Sequence, residues 1–346
     1  MRSMRGLGLM LFALSIVSIN PGCQNKSGRT KVAFISNNEH EFWQIAKKGT
    51  EDAAKEVDVD VEFKMPSGGG SAEQQRRFIE DLLSKGCKGI AISPNDAGNQ
   101  VDFFKEINGQ VPLLAVDSDV PDPKARRCYL GTNNIEAGKS AGDLVKKALP
   151  NGGKFMIYVG KLDVRNAVER REGVVTTLAG GKEKCEDQLK QMEQGKYPVQ
   201  FGDYILLGTM TDDGKSEVCR TKVDDTLTKH PDIKCMVGLW AYNPPAMLEG
   251  VKAAKKLGQI ALVGFDENEE TLQGIEDGYI IGTIVQDPYH FGYEAVKILA
   301  GLARGDEKVL DRKDMQENHC IYVKHRTITK DNAKEFRADL KKLKPS

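Results

Sequence analysis

The chain has 346 residues, 40% hydrophobic and 29% charged, a length that calls for two compact lobes rather than a single small domain. Lys and Arg number 50 and Asp and Glu also 50, so no net positive field exists to hold a phosphate backbone, which argues against nucleic acid as a partner. Short apolar runs recur throughout and the 35 Gly and 13 Pro are dispersed, which separates the body from disordered and fibrous classes.

At the N-terminus, Arg2 and Arg5 precede an apolar run over residues 7–19, followed by Pro21-Gly22-Cys23. Charge, length and small residues fit a secretory signal, and the run is too short to span a bilayer comfortably. Ending on a Cys after Gly, residues 1–23 resemble a bacterial lipoprotein signal, although Asn20 stands where that motif usually has Leu. The resemblance implies a lipidated Cys23 as the first mature residue, and a periplasmic or cell-envelope location. An ordinary signal cleaved nearby, with Cys23 free, is the alternative. Residues 24–30 are polar and read as a tether. No later segment has the apolar length of a membrane helix.

From residue 31 strand and helix patterns alternate. Strand-like runs are Lys31-Val-Ala-Phe-Ile-Ser36, Val59-Asp-Val-Glu-Phe63, Gly89-Ile-Ala-Ile-Ser93, Leu113-Leu-Ala-Val-Asp117 and Cys128-Tyr-Leu-Gly-Thr132, with helical patterns such as 42–56 and 72–85 between them. The second half repeats the scheme with Lys154-Phe-Met-Ile-Tyr-Val159, Tyr204-Ile-Leu-Leu-Gly208, Cys235-Met-Val-Gly-Leu239, Ile260-Ala-Leu-Val-Gly-Phe265 and Gly282-Thr-Ile-Val-Gln286. Short apolar strands joined by helices indicate parallel sheets covered on both faces, here two similar doubly wound α/β lobes. Residues 180–203 are charged and read as carrying an amphipathic surface helix.

Ligands of such sheets lie beyond the carboxyl ends of the strands. The residues at those ends are rich in carboxylates, amides and aromatics: Asn37 to Trp43, Asp117-Ser118-Asp119, Thr132-Asn133-Asn134, Trp240-Ala-Tyr242-Asn243, Asp266-Glu267-Asn268 and Gln286-Asp287. Polyols need that mixture, because carboxylates and amides pair with hydroxyl groups while aromatic faces cover the C–H faces of a sugar ring. A nucleotide would need a phosphate cradle, and neither G-x-x-x-x-G-K-[ST] nor a post-strand G-x-G-x-x-G is present; Ser67-Gly-Gly-Gly-Ser71 reads as a flexible loop.

This order of motifs resembles the periplasmic sugar-binding proteins of ABC importers, in the ribose-binding-protein-like group, from about residue 31 to 329. Its most specific pieces are Val263-Gly-Phe-Asp266, Asp277-Gly278, Thr283-Ile-Val-Gln286-Asp-Pro288 and His230-Pro231-Asp232. The resemblance implies a type I periplasmic binding protein with a three-strand hinge. It implies an N-terminal lobe of 31–131 plus 287–315, a C-terminal lobe of 132–286 plus 316–330 and a charged tail at 331–346. Crossings between lobes are expected near Thr132, near Gln286-Asp287 and over 315–319.

By the same resemblance Phe42 and Trp43 look like ring-stacking aromatics, Asp117 like the first lobe's carboxylate, and Asn243, Asp266 and Gln286 like the amide, carboxylate and amide of the second lobe and hinge. Asp266 has a rival reading as a helix N-cap, since Glu269 follows at capping-box spacing. Where ribose binders place arginines this chain has Ser118 and, by register, Val168, so two guanidinium groups are expected to be missing. Arg165 or Asn166 is the expected substitute, and His40 stands where the family often has Asn. Trp240 and Tyr242 read either as a further stacking surface or as core and hinge packing.

The implied function is capture of a monosaccharide or related polyol by hinge closure and delivery to ABC permease subunits by a monomeric, lipid-anchored protein with no cofactor. A sensory protein presenting its closed state to a membrane receptor or kinase is the alternative. An enzyme is not expected: His40-Glu41-Phe-Trp-Gln lacks the second His of H-E-x-x-H, no G-x-S-x-G occurs, and five His leave little metal-ligand density. Apart from Cys23 six cysteines remain, without C-x-x-C. Cys185 and Cys219 are the best candidates for a disulfide, with buried free thiols as the alternative at Cys87, Cys128 and Cys235.

Overall fold

The structure is a computed structural model and describes residues 28–68, 70–162 and 164–343; the expected signal and Cys23 lie outside the described residues. The first half runs β1 (Thr30–Ile35), α1 (Glu41–Glu56), β2 (Val59–Lys64), α2 (Ala72–Ser84), β3 (Ile90–Ile92), α3 (Val101–Gln110), β4 (Leu113–Val116) and β5 (Cys128–Gly131). The second runs α4 (Asn134–Ala148), β6 (Gly153–Val159), α5 (Arg165–Ala179), α6 (Glu186–Glu193), β7 (Val199–Phe201), β8 (Tyr204–Thr211), α7 (Ser216–Lys229), β9 (Cys235–Gly238), α8 (Asn243–Ala253), β10 (Ala261–Phe265), α9 (Glu269–Glu276) and β11 (Gly282–Val285). After these come α10 (Pro288–Ala303), β12 (Met315–Gln316), β13 (Cys320–Tyr322), β14 (Arg326–Thr329) and α11 (Ala333–Leu343).

The strands form two seven-stranded sheets, ordered β12-β13-β5-β4-β3-β1-β2 and β14-β11-β10-β9-β6-β8-β7. Each centre is parallel and repeats one winding, with β1 between β2 and β3 in the first and β6 between β8 and β9 in the second. Antiparallel strands β12, β14 and β7 close the edges. Central strands such as Ile90–Ile92 and Leu113–Val116 are buried along their whole length, as strands covered by helices on both faces must be.

The sheets correct three expectations. Residues 315–322 pair within the first sheet, so the third passage between lobes lies at 323–325 rather than over 315–319; two short edge strands escape a reading based on apolar runs. The expected charged tail at 331–346 is structured over its described part: α11 buries Ala333, Phe336 and Leu340 in the second lobe, and Arg337 bonds Glu269 and Glu276 of α9. Cys185 and Cys219 lie in different apolar clusters of the second lobe, and all six described cysteines are free and buried. The surface helix expected in 180–203 is α6, which buries Met192.

Glycines fix the helix on which the site depends. A Cβ at Gly138 of α4 would lie 2.2 Å from the Arg170 carbonyl oxygen, and one at Gly173 of α5 2.2 Å from that of Ile135, so only hydrogens allow the two backbones this approach. The contact sets the inner face of α5 directly beneath the start of α4.

Candidate functional site

The carboxyl ends of the two sheets face each other across a cleft. Equivalent strands of the two lobes end in an aspartate with left-handed backbone: Asp117 (φ 62°) after β4 and Asp266 (φ 63°) after β10. Each is fastened to the neighbouring strand, the Asp117 N–H to Leu130 O at 3.0 Å and the Asp266 N–H to Ile284 O at 2.7 Å. Such a conformation is tolerated by Asp at some cost, and it recurs at both matching positions. Tyr129 Oη donates to Asp117 O at 2.8 Å, Ser93 Oγ to Asp117 Oδ2 at 3.4 Å, and the Ser118 side chain also bonds the carboxylate.

Arg170 is the buried cation whose charge acts on both carboxylates. Its Nε donates to Asn134 Oδ1 at 2.9 Å, its Nη1 to Leu239 O at 2.8 Å, and its guanidinium lies 4.0 Å over the Phe265 ring. Burial pushes Asp117 up from the usual 3.8 to about 6, opposed by Arg170 and reinforced by Asp266. Asp266 is also raised by burial, against the pull of Arg170 and a hydrogen bond from Gln286; burial lowers Arg170, against the pull of Asp266 and Asp117. Gln286 Nε2 donates to Asp266 Oδ1 at 2.9 Å and its Oε1 accepts from Thr132 Oγ1 at 2.9 Å, linking two of the interlobe passages. Asp266, 8% exposed, and Gln286, 6%, are both buried.

Asp266 is not a helix cap, since Asn268 Oδ1 caps α9 by accepting from the Glu270 N–H. Ser118 and Val168 leave both expected positions without a guanidinium, and the buried cation near the two carboxylates is instead Arg170. Val168 points instead into a surface groove with Arg171 and Leu189, because only the i, i+4 face carrying Asn166 and Arg170 turns toward the cleft. Arg165 does not substitute for the buried group. It is exposed, bonded to Glu169 at 2.7 Å, and reaches across the cleft mouth to 3.5 Å from Asp119, which Arg126 already holds in a two-pronged ion pair.

Two other expectations change. Trp43 is 2% exposed in the first lobe's own core, tilted against Phe34, with its indole N–H donated to Asn37 Oδ1 at 2.8 Å; it packs instead of offering a ring face. Phe42 beside it is half-buried, edge-on to Trp43. Asn243 is 0% exposed and its amide is spent within the protein: Oδ1 accepts from the Trp240 N–H, while Nδ2 donates to Asp212 Oδ2 and Cys219 Sγ. It therefore positions the Trp240 loop and does not reach the cleft. His40 is exposed and precedes α1 without a side-chain cap, and Ser118 acts through Asp117.

Sequence reasoning missed Arg170 altogether, and it placed Thr132 and Asn134 at a strand end without giving either a role in the cluster. The available signal was the i, i+4 spacing of Asn166 and Arg170 together with Gly173, the close-approach glycine one turn on. Among the described residues no group of three or more His, Cys, Asp and Glu could hold a metal ion, and no helix is long and apolar enough to cross a membrane.

Two matching α/β lobes with a polar cleft at facing strand ends define a two-lobed ligand-binding protein. The family profile described as "Periplasmic binding protein domain" matches residues 32–307, and the chain belongs to that family, with the type I fold. It is 24% identical over 266 residues to the D-allose-binding periplasmic protein of Escherichia coli K12, covering 75% of this chain and 79% of that one. It is 25% identical over 308 residues to the ribose import binding protein RbsB of Bacillus subtilis, covering 86% and 92%. A solute-binding protein of an ABC transporter from Burkholderia graminis, solved in complex with D-arabinose, superimposes with a TM-score of 0.74 at 28% identity, covering 89% of this chain and 98% of that one.

Proposed function

We propose that the protein captures a monosaccharide between its lobes and delivers it to an ABC importer. The observation that carries this reading is the cluster of Asp117, Arg170, Asp266 and Gln286, in which carboxylate acceptors and guanidinium and amide donors from both lobes converge on one cleft. Hydroxyl groups are both donors and acceptors, and a sugar satisfies such a set without bringing a charge of its own. Phe42, half-buried at the start of α1, supplies an apolar face for the ring.

Binding proceeds by hinge bending. The ligand first meets one lobe, and rotation about the three passages brings the other lobe's groups to it and expels water. The pair between Arg165 and Asp119 then spans the closed mouth. The permease subunits recognise that closed state, with the protein held at the membrane as a monomer through a lipid on Cys23. Differential scanning fluorimetry against pentoses, hexoses, polyols and amino acids, followed by calorimetry, tests the reading. A ligand at one hundred times its Kd adds about 2.7 kcal/mol to stability, and D-arabinose, D-allose and D-ribose are the first probes. A shift from amino acids with none from sugars overturns it.

A further inference from the structure

Two buried polar atoms in the second lobe's strand-end region, Asn166 Oδ1 and Trp240 Nε1, find no hydrogen-bond partner among the described residues. Their neighbours are satisfied: Arg170 by Asn134 and Leu239, Asn243 by Trp240, Asp212 and Cys219, Gln286 by Asp266 and Thr132. A buried donor or acceptor left unmade costs free energy, so an orphan of each kind on adjoining elements calls for a partner from outside the protein.

Their placement supports this. Asn166 lies one turn before Arg170 on the same face of α5, and Arg170 bonds the carbonyl of Leu239, immediately before Trp240. The Trp240 backbone is locked by Asn243, which accepts from its N–H at 2.9 Å and donates to its carbonyl at 3.0 Å. The benzo edge of the indole covers Gly160, where a Cβ would meet Cζ3 at 1.9 Å, Cε3 at 2.4 Å and Cη2 at 2.5 Å. The indole N–H is on the opposite edge and is therefore turned away from the end of β6. Gly160 is required here, since any side chain would displace the ring.

We propose that Trp240 and Asn166 together read one hydroxyl group of the ligand, an inference that rests on the monosaccharide reading and narrows it. An indole N–H only donates and an amide oxygen only accepts, so a single atom that satisfies both must accept once and donate once. An alcohol oxygen does both; an ether oxygen and a carboxylate cannot donate, an ammonium cannot accept, and a deoxy carbon does neither. The pair thus selects sugars with a free hydroxyl at this end of the cleft and rejects the deoxy and O-methyl forms of the same sugar.

The test is calorimetry on the soluble body with D-arabinose, D-allose and D-ribose, using wild type, Trp240→Phe and Asn166→Leu. Each variant is expected to weaken binding of the preferred sugar by tenfold or more while the ligand-free melting temperature of Asn166→Leu stays the same or rises. Against mono-deoxy forms of that sugar, both variants and wild type converge at one ring position. Sugar binding that survives both substitutions within twofold overturns the pair while leaving the monosaccharide reading intact. No response of wild type to any sugar overturns the monosaccharide reading, and this inference with it. If Trp240→Phe does not fold, Asn166→Leu and the deoxy series decide the matter, since a purely structural Asn166 predicts no dependence on ring position.

Discussion

Replacing Asp117 with Asn separates what the cleft does for binding from what it costs the fold. The Asp117 carboxyl is raised from 3.8 to about 6, chiefly by burial. The charged form is thus less stable in the folded protein than in the unfolded chain, by roughly 3 kcal/mol for this displacement, an upper bound because the group retains some contact with solvent. The sign follows from linkage. Between pH 4 and 6 the folded state holds more protons than the unfolded state, so the stability present below pH 4 is lost as pH rises through 6. Asn keeps the shape, tolerates the backbone at φ 62°, and retains the bonds to Leu130 O and from Tyr129 Oη, but carries no charge. Ligand-free Asp117→Asn should therefore be more stable than wild type at pH 7 by about 1–3 kcal/mol, a few degrees in melting temperature, with the difference vanishing near pH 4. Scanning calorimetry of both proteins from pH 4 to 8 measures it. The same variant should lose sugar affinity, because an acceptor for hydroxyl groups has gone. A variant less stable than wild type at pH 7, or a difference that does not change with pH, would refute the reasoning.

The partners of Asp117 make further predictions. Asp266→Ala removes the group that accepts from Gln286 and faces Arg170, and should weaken sugar binding by about 2–5 kcal/mol with the far-ultraviolet circular dichroism unchanged; unaltered affinity in calorimetry would sink the assignment. Arg170→Met leaves Asp117 and Asp266 facing each other without a cation, which should cost about 3–5 kcal/mol in a urea titration at pH 7 and recover as the carboxyls protonate toward pH 4.5. Asn243→Ala should cost roughly 1–3 kcal/mol of stability, since buried partners at Asp212 and the Trp240 N–H lose their bonds; a stability equal to wild type with binding abolished would instead return Asn243 to direct ligand contact. Arg165→Ala removes an exposed cross-cleft pair of about 0.2–1 kcal/mol and should change affinity less than about fivefold, mainly at low salt; a hundredfold loss would show that Arg165 touches the ligand.

The legible part of this protein was the part governed by one-dimensional pattern. Apolar runs bounded by polar strand ends located the ten main strands, and the rule that ligands sit beyond those ends selected Asp117, Asp266 and Gln286, which the fold does bring together. Pattern failed where the partner is distant in sequence or the element is too short to be periodic. The strands β12 and β13, of two and three residues, pair into the first sheet only because β5 offers a free edge, and nothing local announces that edge. Trp43 and Asn243 have the right chemistry at the right strand ends, yet Asn37 and the pair Asp212 and Cys219 claim their polar atoms first. Arg170 shows the limit most sharply. Register by itself chose Val168, two positions away and on the opposite face of the same helix, because the direction of a helical side chain is set by what the helix packs against. Here that partner is α4, and the small residues Gly138 and Gly173 hold the two helices close enough for Asn134 to take the guanidinium whose charge acts on both aspartates. The glycines, read as a pair of facing surfaces instead of as breaks in a pattern, carried the information that the charged residues alone did not.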